Sequence, residues 1–309
     1  MELKVLYDQD IHEFLTYRGA IGVMDDLLRS KLKDNVVHPP RFTFPTQNGS
    51  MTFTMGELLE ERVAGFRLYA APKTTQLTLT MDTHTGEFKG LIVGKLIGVV
   101  RTASLNAVAI KYMSRDNSRT LGVIGSGFQA RHHALAALEV REIDRLIVYS
   151  REPANCEAFL RFVEARWTGR RIRFEMVGST TAVAEQSDIL ICATSSGDPV
   201  LKADVIRPGT HINNVGPKYQ GRHELPVELY QRAGVLATDS IPQMFDQNRM
   251  GPICFDGMVA SEKVRPLESF MNGFQRDPET ISLFCSMGLA GSEVALANWV
   301  LEGLSRPLQ

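Results

Sequence analysis

The stretch Leu121-Gly122-Val123-Ile124-Gly125-Ser126-Gly127-Phe128-Gln129-Ala130 constrains this chain more than any other segment. A short apolar run enters a glycine turn, and helix-forming residues follow to about position 139. The spacing Gly125-x-Gly127-x-x-Ala130 fits the turn between the first strand and helix of a dinucleotide-binding βαβ unit. Gly125 permits the tight turn, Gly127 lets the backbone approach a pyrophosphate, and Ala130 keeps the helix close to the sheet. The helix N-terminus adds unpaired N–H groups and the positive end of its dipole.

Strand-like apolar runs recur after this turn at 145–149, 172–177, 189–193, 211–215 and 235–238, with helical or turn segments between them. Alternation of that kind predicts βαβ units and a parallel sheet covered on both faces. Before position 115 the pattern is mixed. Residues 11–32 carry apolar positions at helical spacing, whereas 51–55, 66–71, 76–81 and 90–93 read as strands, with a hairpin at 78–86. Helical patterning returns at 288–301. The expected fold is α/β: a Rossmann-type doubly wound parallel sheet over 116–287, plus an α+β domain from 1–115 with 288–309.

Composition narrows the function. Lys+Arg 34 against Asp+Glu 35 leaves a net charge of −1, which offers no electrostatic footprint for nucleic acid or an anionic membrane. No apolar stretch reaches the length of a membrane span, and the first ten residues lack the features of a signal peptide. A cytoplasmic protein is expected. Cys156, Cys192, Cys254 and Cys285 are scattered singly, so they form neither a metal clip nor a disulfide framework, and each reads as a small buried hydrophobe. His132 and His133 are adjacent on a helix and point in different directions, while His211 and His223 read as structural histidines. No metal site is expected.

The end of the second Rossmann strand bears on the cofactor. An NAD site places Asp or Glu there for the ribose hydroxyls, but this chain has Tyr149-Ser150-Arg151-Glu152. A hydroxyl and a guanidinium suit a 2′-phosphate, so NADP(H) is favoured over NAD(H).

Arg101-Thr102-Ala103, followed by Gly125-Ser126-Gly127-Phe128-Gln129-Ala130, resembles the ornithine cyclodeaminase/mu-crystallin family. The resemblance extends to His38-Pro39-Pro40-Arg41, Met55, Asp82, Thr85-Gly86, His211-Ile212-Asn213-Asn214-Val215-Gly216, Glu224-Leu225-Pro226 and Ser286-Met287-Gly288-Leu289-Ala290. It implies a nicotinamide-dependent enzyme acting on a small imino or amino acid, in which Arg41 and Arg101 hold the substrate carboxylate and Met55 lies nearby. A guanidinium fork suits that task because it binds a carboxylate bidentately and stays charged. The resemblance also implies that the mixed domain binds substrate and joins two subunits, giving a homodimer whose sheets close into a barrel. Candidate cofactor contacts are Gly125, Ser126, Gly127, Phe128, Gln129, Ala130, Ser150 and Arg151, with Thr102 at a helix N-terminus and Thr194, Val215 and Gly216 on later loops.

The deamination machinery departs from the family pattern. Phe53 stands where the cyclodeaminases have Glu, Arg67 where they have Lys, and Lys218 where they have Asp. Arginine cannot act as a general base near neutral pH. Lys218, if desolvated near Arg67 and Arg101, is the candidate proton donor, with Lys73 as a second. Arg67 and Lys218 are thus the candidate catalytic residues of a ketimine reductase or amino-acid dehydrogenase. The alternatives are an ornithine cyclodeaminase with a rebuilt acid/base set and a non-catalytic NADP-binding protein.

Overall fold

A computed structural model describes residues 3–71, 76–219, 221–245 and 261–305. The candidate Lys73 and Cys254 fall outside these residues.

In chain order the first elements are β1 (Val5–Tyr7), α1 (Asp8–Ile11), α2 (Tyr17–Lys31), β2 (Val36–Val37), β3 (Phe42–Thr46), β4 (Gly49–Leu58), β5 (Val63–Ala71), β6 (Gln76–Asp82), β7 (Phe88–Val93) and α3 (Leu96–Met113). They are followed by β8 (Thr120–Ile124), α4 (Phe128–Leu138), β9 (Arg145–Tyr149), α5 (Pro153–Glu164), β10 (Arg173–Met176), α6 (Thr180–Gln186), β11 (Ile189–Cys192) and β12 (His211–Asn214). The last are β13 (Lys218–Tyr219), β14 (Arg222–His223), α7 (Val227–Arg232), β15 (Val235–Thr238), α8 (Ile241–Met244), β16 (Val264–Pro266), β17 (Ser282–Cys285) and α9 (Ser292–Gly303). The chain divides into two compact units, Met1–Leu105 with Gly288–Gln309, and Asn106–Met287. The dividing point falls inside α3, earlier than position 115, because that helix runs unbroken past it.

The first unit is a seven-stranded sheet in the order β1-β7-β6-β5-β4-β2, with β3 also paired to β4. Its strands are antiparallel except for the parallel β1–β7 pair. Helix α9 packs on β4 to β7, and α2 packs on α9. Strand alternation therefore buries Thr52, Thr54 and Leu58 of β4 and Val63 and Arg67 of β5. The opposite face carries Met51, Phe53, Met55, Phe66, Leu68, Leu79 and Met81, all half-buried or exposed. Two helices start later than the periodicity predicts. The Thr16 hydroxyl accepts from Gly19 N at 3.2 Å and opens α2 at Tyr17, separating it from α1. Helix α9 opens at Ser292 behind a Gly291 cap.

The second unit holds an eight-stranded, all-parallel sheet in the order β10-β9-β8-β11-β12-β17-β15-β16. From β8 the chain winds outward to β10, then returns to β11 on the other side of β8. That reversal makes a topological switch point between β8 and β11, where such sheets bind ligands at their carboxyl ends. Ile124, Ile147, Leu190, Ile212 and Leu283 fill the core from successive strands.

Candidate active site

Three guanidiniums meet in the first unit. Arg67 reaches from β5 and Arg101 from α3, and both bond to Oε1 of Glu293, at 3.1 Å from Arg67 Nη1 and 3.0 Å from Arg101 Nη2. Glu293 is 1% exposed and lies in the first turn of α9, where the helix dipole favours an anion. Burial opposes its ionisation, but Arg101 and Arg67, with Arg41 beyond them, overcome this and hold the carboxyl below its usual range. Arg67 Nη2 also donates to Gln76 Oε1 at 2.6 Å, and its guanidinium stacks on the Tyr69 ring at 4.4 Å. Arg41 donates to Tyr69 Oη at 3.3 Å and to the Gly288 carbonyl at 3.4 Å. Gly288 (φ +93°) is where Arg41 and Arg101 converge: a Cβ there would collide with Arg41 Nη2 and lie 3.5 Å from Arg101 Nη1.

Among the described residues Arg67 and Arg101 share the single carboxylate of Glu293, which leaves one positive charge in excess in that pair. Arg101 is 6% exposed, and its Nε and Nη1 have no hydrogen-bond partner among the described residues. Buried charged donors without an acceptor are costly, and an anion at this corner would satisfy them.

The structure corrects two of the expected placements here. Met55 pairs with Phe66, whereas Thr54 pairs with Arg67. Alternation therefore sends Met55, which is 43% exposed, to the sheet face opposite the arginines, and Phe53 with it. The side chain across from Arg67 is Thr54, and its hydroxyl lacks a partner among the described residues. Thr102 does not stand at a helix N-terminus either. It lies in the second turn of α3 and donates its hydroxyl to the Gly98 carbonyl at 2.7 Å. The start of α3 is capped instead by Asp8, whose carboxylate accepts from Lys95 N at 2.8 Å and Leu96 N at 3.0 Å.

In the second unit the glycine turn joins β8 to α4. Gly125 N donates to Tyr149 O at 2.9 Å, which sets the turn against the end of β9. Gly125 has φ +107°, and a Cβ on it would lie 2.5 Å from Ala193 O. Only glycine fits there. Nothing lies within 4 Å of a Cβ built on Gly127, and Ala130 is fully buried against the sheet. Ser126, Phe128 and Gln129 complete the turn, and the first-turn N–H groups of α4 have no intrahelical acceptor. These features fit a dinucleotide pyrophosphate. Ser150 and Arg151 follow β9 directly; Arg151 is exposed and makes no ion pair among the described residues.

Glu224 is a functional candidate that sequence reasoning quoted without giving it a role. Fully buried, it accepts from Thr194 N at 2.8 Å and Thr194 Oγ1 at 2.9 Å through one oxygen. Its other oxygen accepts from Asn214 Nδ2 at 2.7 Å and Gly216 N at 2.6 Å. Burial raises its pKa against these bonds and the attraction of Lys218. This carboxylate ties the loop after β11 to the loop after β12, so it positions Thr194, Val215 and Gly216. The N–H groups of Thr194 and Gly216 are consequently occupied. Lys218 is buried on β13 and donates to the Val215 and Gly216 carbonyls at 3.2 and 2.6 Å. Its ammonium holds the same loop from the other side.

His211, His223 and His132 are held by contacts inside the second unit. Within hydrogen-bond range, His211 has Ser282 Oγ at 2.8 Å and Asn213 Oδ1 at 3.0 Å, and His223 Nδ1 has Leu225 O at 2.7 Å. His132 packs between Phe128 and Phe162. Among the described residues no three His, Cys, Asp or Glu side chains gather as metal ligands, and no helix is long and apolar enough to cross a membrane. Burial pushes His211 down to about 3, and burial with Arg166 and Arg131 pushes His132 down to about 4. Both stay neutral when folded but gain a proton when unfolded below about pH 6.5, so acid favours unfolding. Lowering the pH from 7 to 5 is therefore expected to cost about 2 kcal/mol per histidine, readable from urea midpoints at the two pH values. Equal midpoints would contradict this.

The second unit has the Rossmann-type architecture of dinucleotide-binding proteins. The chain belongs to the ornithine cyclodeaminase/mu-crystallin family, whose model matches residues 2–306. It is 26% identical over 231 residues to a Δ1-pyrroline-2-carboxylate reductase of Bacillus cereus, covering 73% of this chain and 70% of the relative. It is 27% identical to an iminosuccinate reductase of Paracoccus denitrificans, covering 72% of this chain and 68% of that one. A similar solved structure is Thermococcus litoralis Δ1-pyrroline-2-carboxylate reductase in complex with NADH and L-proline, with a TM-score of 0.88 and 26% identity over 97% of both chains.

Proposed function

We propose that the chain is an NAD(P)-dependent oxidoreductase that reduces a small α-imino acid or oxidises the matching amino acid. The observation that carries this reading is the pair of orphaned, buried Arg101 donors in a cluster with excess positive charge. A substrate carboxylate supplies the missing acceptor. The relatives named above, which act on pyrroline-2-carboxylate and iminosuccinate, support the same class. Bound reduced nicotinamide would supply hydride. Arg41 and Arg101 hold the carboxylate, and Glu293 fixes Arg101 and Arg67 in the geometry to do so. Arg67 keeps its proton near neutral pH, so it acts as a fixed positive charge that positions its neighbours.

The cofactor would lie on the turn at 125–130. NADP(H) is preferred because Ser150 and an exposed Arg151, which has no ion pair among the described residues, follow β9, where a ribose-binding acid is missing. Arg151→Ala is expected to weaken NADPH binding by about 1–3 kcal/mol and to leave NADH nearly unchanged in fluorescence titrations. Tighter binding of NADH than NADPH to the unaltered protein would refute the preference.

The same reading makes the protein a homodimer. The half-exposed sheet face of Phe53, Met55, Phe66 and Met81 is too apolar to be left to water, and a two-fold mate presents the same face in return. Light scattering at micromolar concentration is expected to give twice the chain mass, and the single-chain mass for a Phe53→Asp, Phe66→Asp variant. A monomeric wild type would contradict this.

A further inference from the structure

A row of polar side chains crosses the buried sheet face beside the arginines. The strand registers align Thr43 with Thr52, Thr52 with Tyr69, and Tyr69 with Gln76. Hydrogen bonds connect the row from Thr43 to Tyr69, and Gln76 beside it bonds to Arg67. Thr43 and Thr52 hydroxyls are 2.9 Å apart, and Thr52 bonds to the Tyr69 phenol. Thr52 is 4% exposed, whereas Thr43 is open to solvent. A hydroxyl chain thus leads from water to Tyr69 Oη.

We propose that Tyr69 is the catalytic acid that protonates the imine nitrogen, and that Thr52 and Thr43 return the proton to it from solvent. The assignment rests on the imine-reductase reading above. In an α-imino acid the nitrogen is two bonds from the carboxylate carbon, so an acid beside the carboxylate anchor reaches it. Tyr69 Oη is 3.3 Å from Arg41 Nη1, so the phenol borders the place where Arg41 would hold a carboxylate. As hydride adds to the imine carbon, the C=N π pair moves to nitrogen and takes the Tyr69 proton, leaving an amine and a phenolate. The charged groups facing that phenolate are Arg41, from the segment before β3, and Arg67 on β5; Arg101 on α3 and Glu293 on α9 lie behind Arg67. Burial alone would raise the phenol, but Arg41 and Arg67 outweigh it and bring Tyr69 below its ordinary value. Lys218, tied to two carbonyls of its own loop, is not needed as the acid.

The test is the pH dependence of NADPH-driven reduction of Δ1-pyrroline-2-carboxylate by wild type, Tyr69→Phe and Thr52→Val, with proline binding measured calorimetrically in each. Tyr69→Phe should lose about 10²-fold or more in kcat and the alkaline limb of the profile, with proline affinity kept within a few-fold. Thr52→Val removes a donor to the phenolate and should move the alkaline limb to higher pH. A Tyr69→Phe kcat within threefold of wild type, or an alkaline limb unmoved in both variants, would overturn the assignment. A wild type that binds NADPH but reduces no imine would instead take down the reading beneath it.

Discussion

Arg101→Met is expected to raise KM for an imino-acid substrate by roughly 30- to 5000-fold, the equivalent of about 2–5 kcal/mol for deleting one partner of a buried, hydrogen-bonded charge pair. The substitution removes the two donors that have no acceptor among the described residues and leaves a side chain of similar reach. The fold should survive, because Glu293 keeps its 3.1 Å bond to Arg67. Binding of NADPH should not change, since no residue of the turn at 125–130 is touched. Steady-state kinetics together with a cofactor titration separate these effects. A variant with unaltered KM would show that the carboxylate is held elsewhere.

Glu293→Gln should have a comparably large effect of a different kind. Glutamine keeps the shape but leaves Arg67 and Arg101 without their shared counter-ion at a site that is 1% exposed. Removing one member of a buried ion pair costs about 3–5 kcal/mol. At about 2–4 °C per kcal/mol, Tm should fall by roughly 10 °C. Because Glu293 is held below its usual range when folded, its stabilisation is present above the unfolded carboxyl value and is lost as pH falls through the folded one. The Tm values of wild type and variant should therefore converge in acid. A bound carboxylate such as proline should restore part of the loss, since it partly replaces the missing anion. Equal Tm values at neutral pH would refute the counter-ion role.

Much of this was legible in the sequence. The strands after Gly125 are long enough and apolar enough, flanked by turn residues, to declare a parallel sheet. Strand β17 escaped notice because four residues, Ser282–Cys285, carry no period of their own, and only insertion between β12 and β15 makes them a strand. The arginines were found because their sequence context marks them. Glu293 was not: an acid in an otherwise apolar helix reads as a solvated position until tertiary packing brings Arg67 and Arg101 to it. Tyr69 is equally unremarkable in the sequence, since its value comes from register with Thr52 and from Arg41, 28 positions away along the chain. Met55 was named from the family resemblance alone, and the register that puts it on the face opposite Arg67 is set only when β4 pairs with β5.

The most direct measurement follows reduced-nicotinamide absorbance when purified protein and NADPH meet Δ1-pyrroline-2-carboxylate, its six-membered homologue, or iminosuccinate, with ornithine and NAD assayed in parallel. The account predicts loss of that absorbance with at least one imino acid, abolished at the same substrate concentration in Arg101→Met, and little or no proline from ornithine. Proline and ammonia released from ornithine without net change in the cofactor would contradict it, as would tight cofactor binding with no turnover of any imino acid.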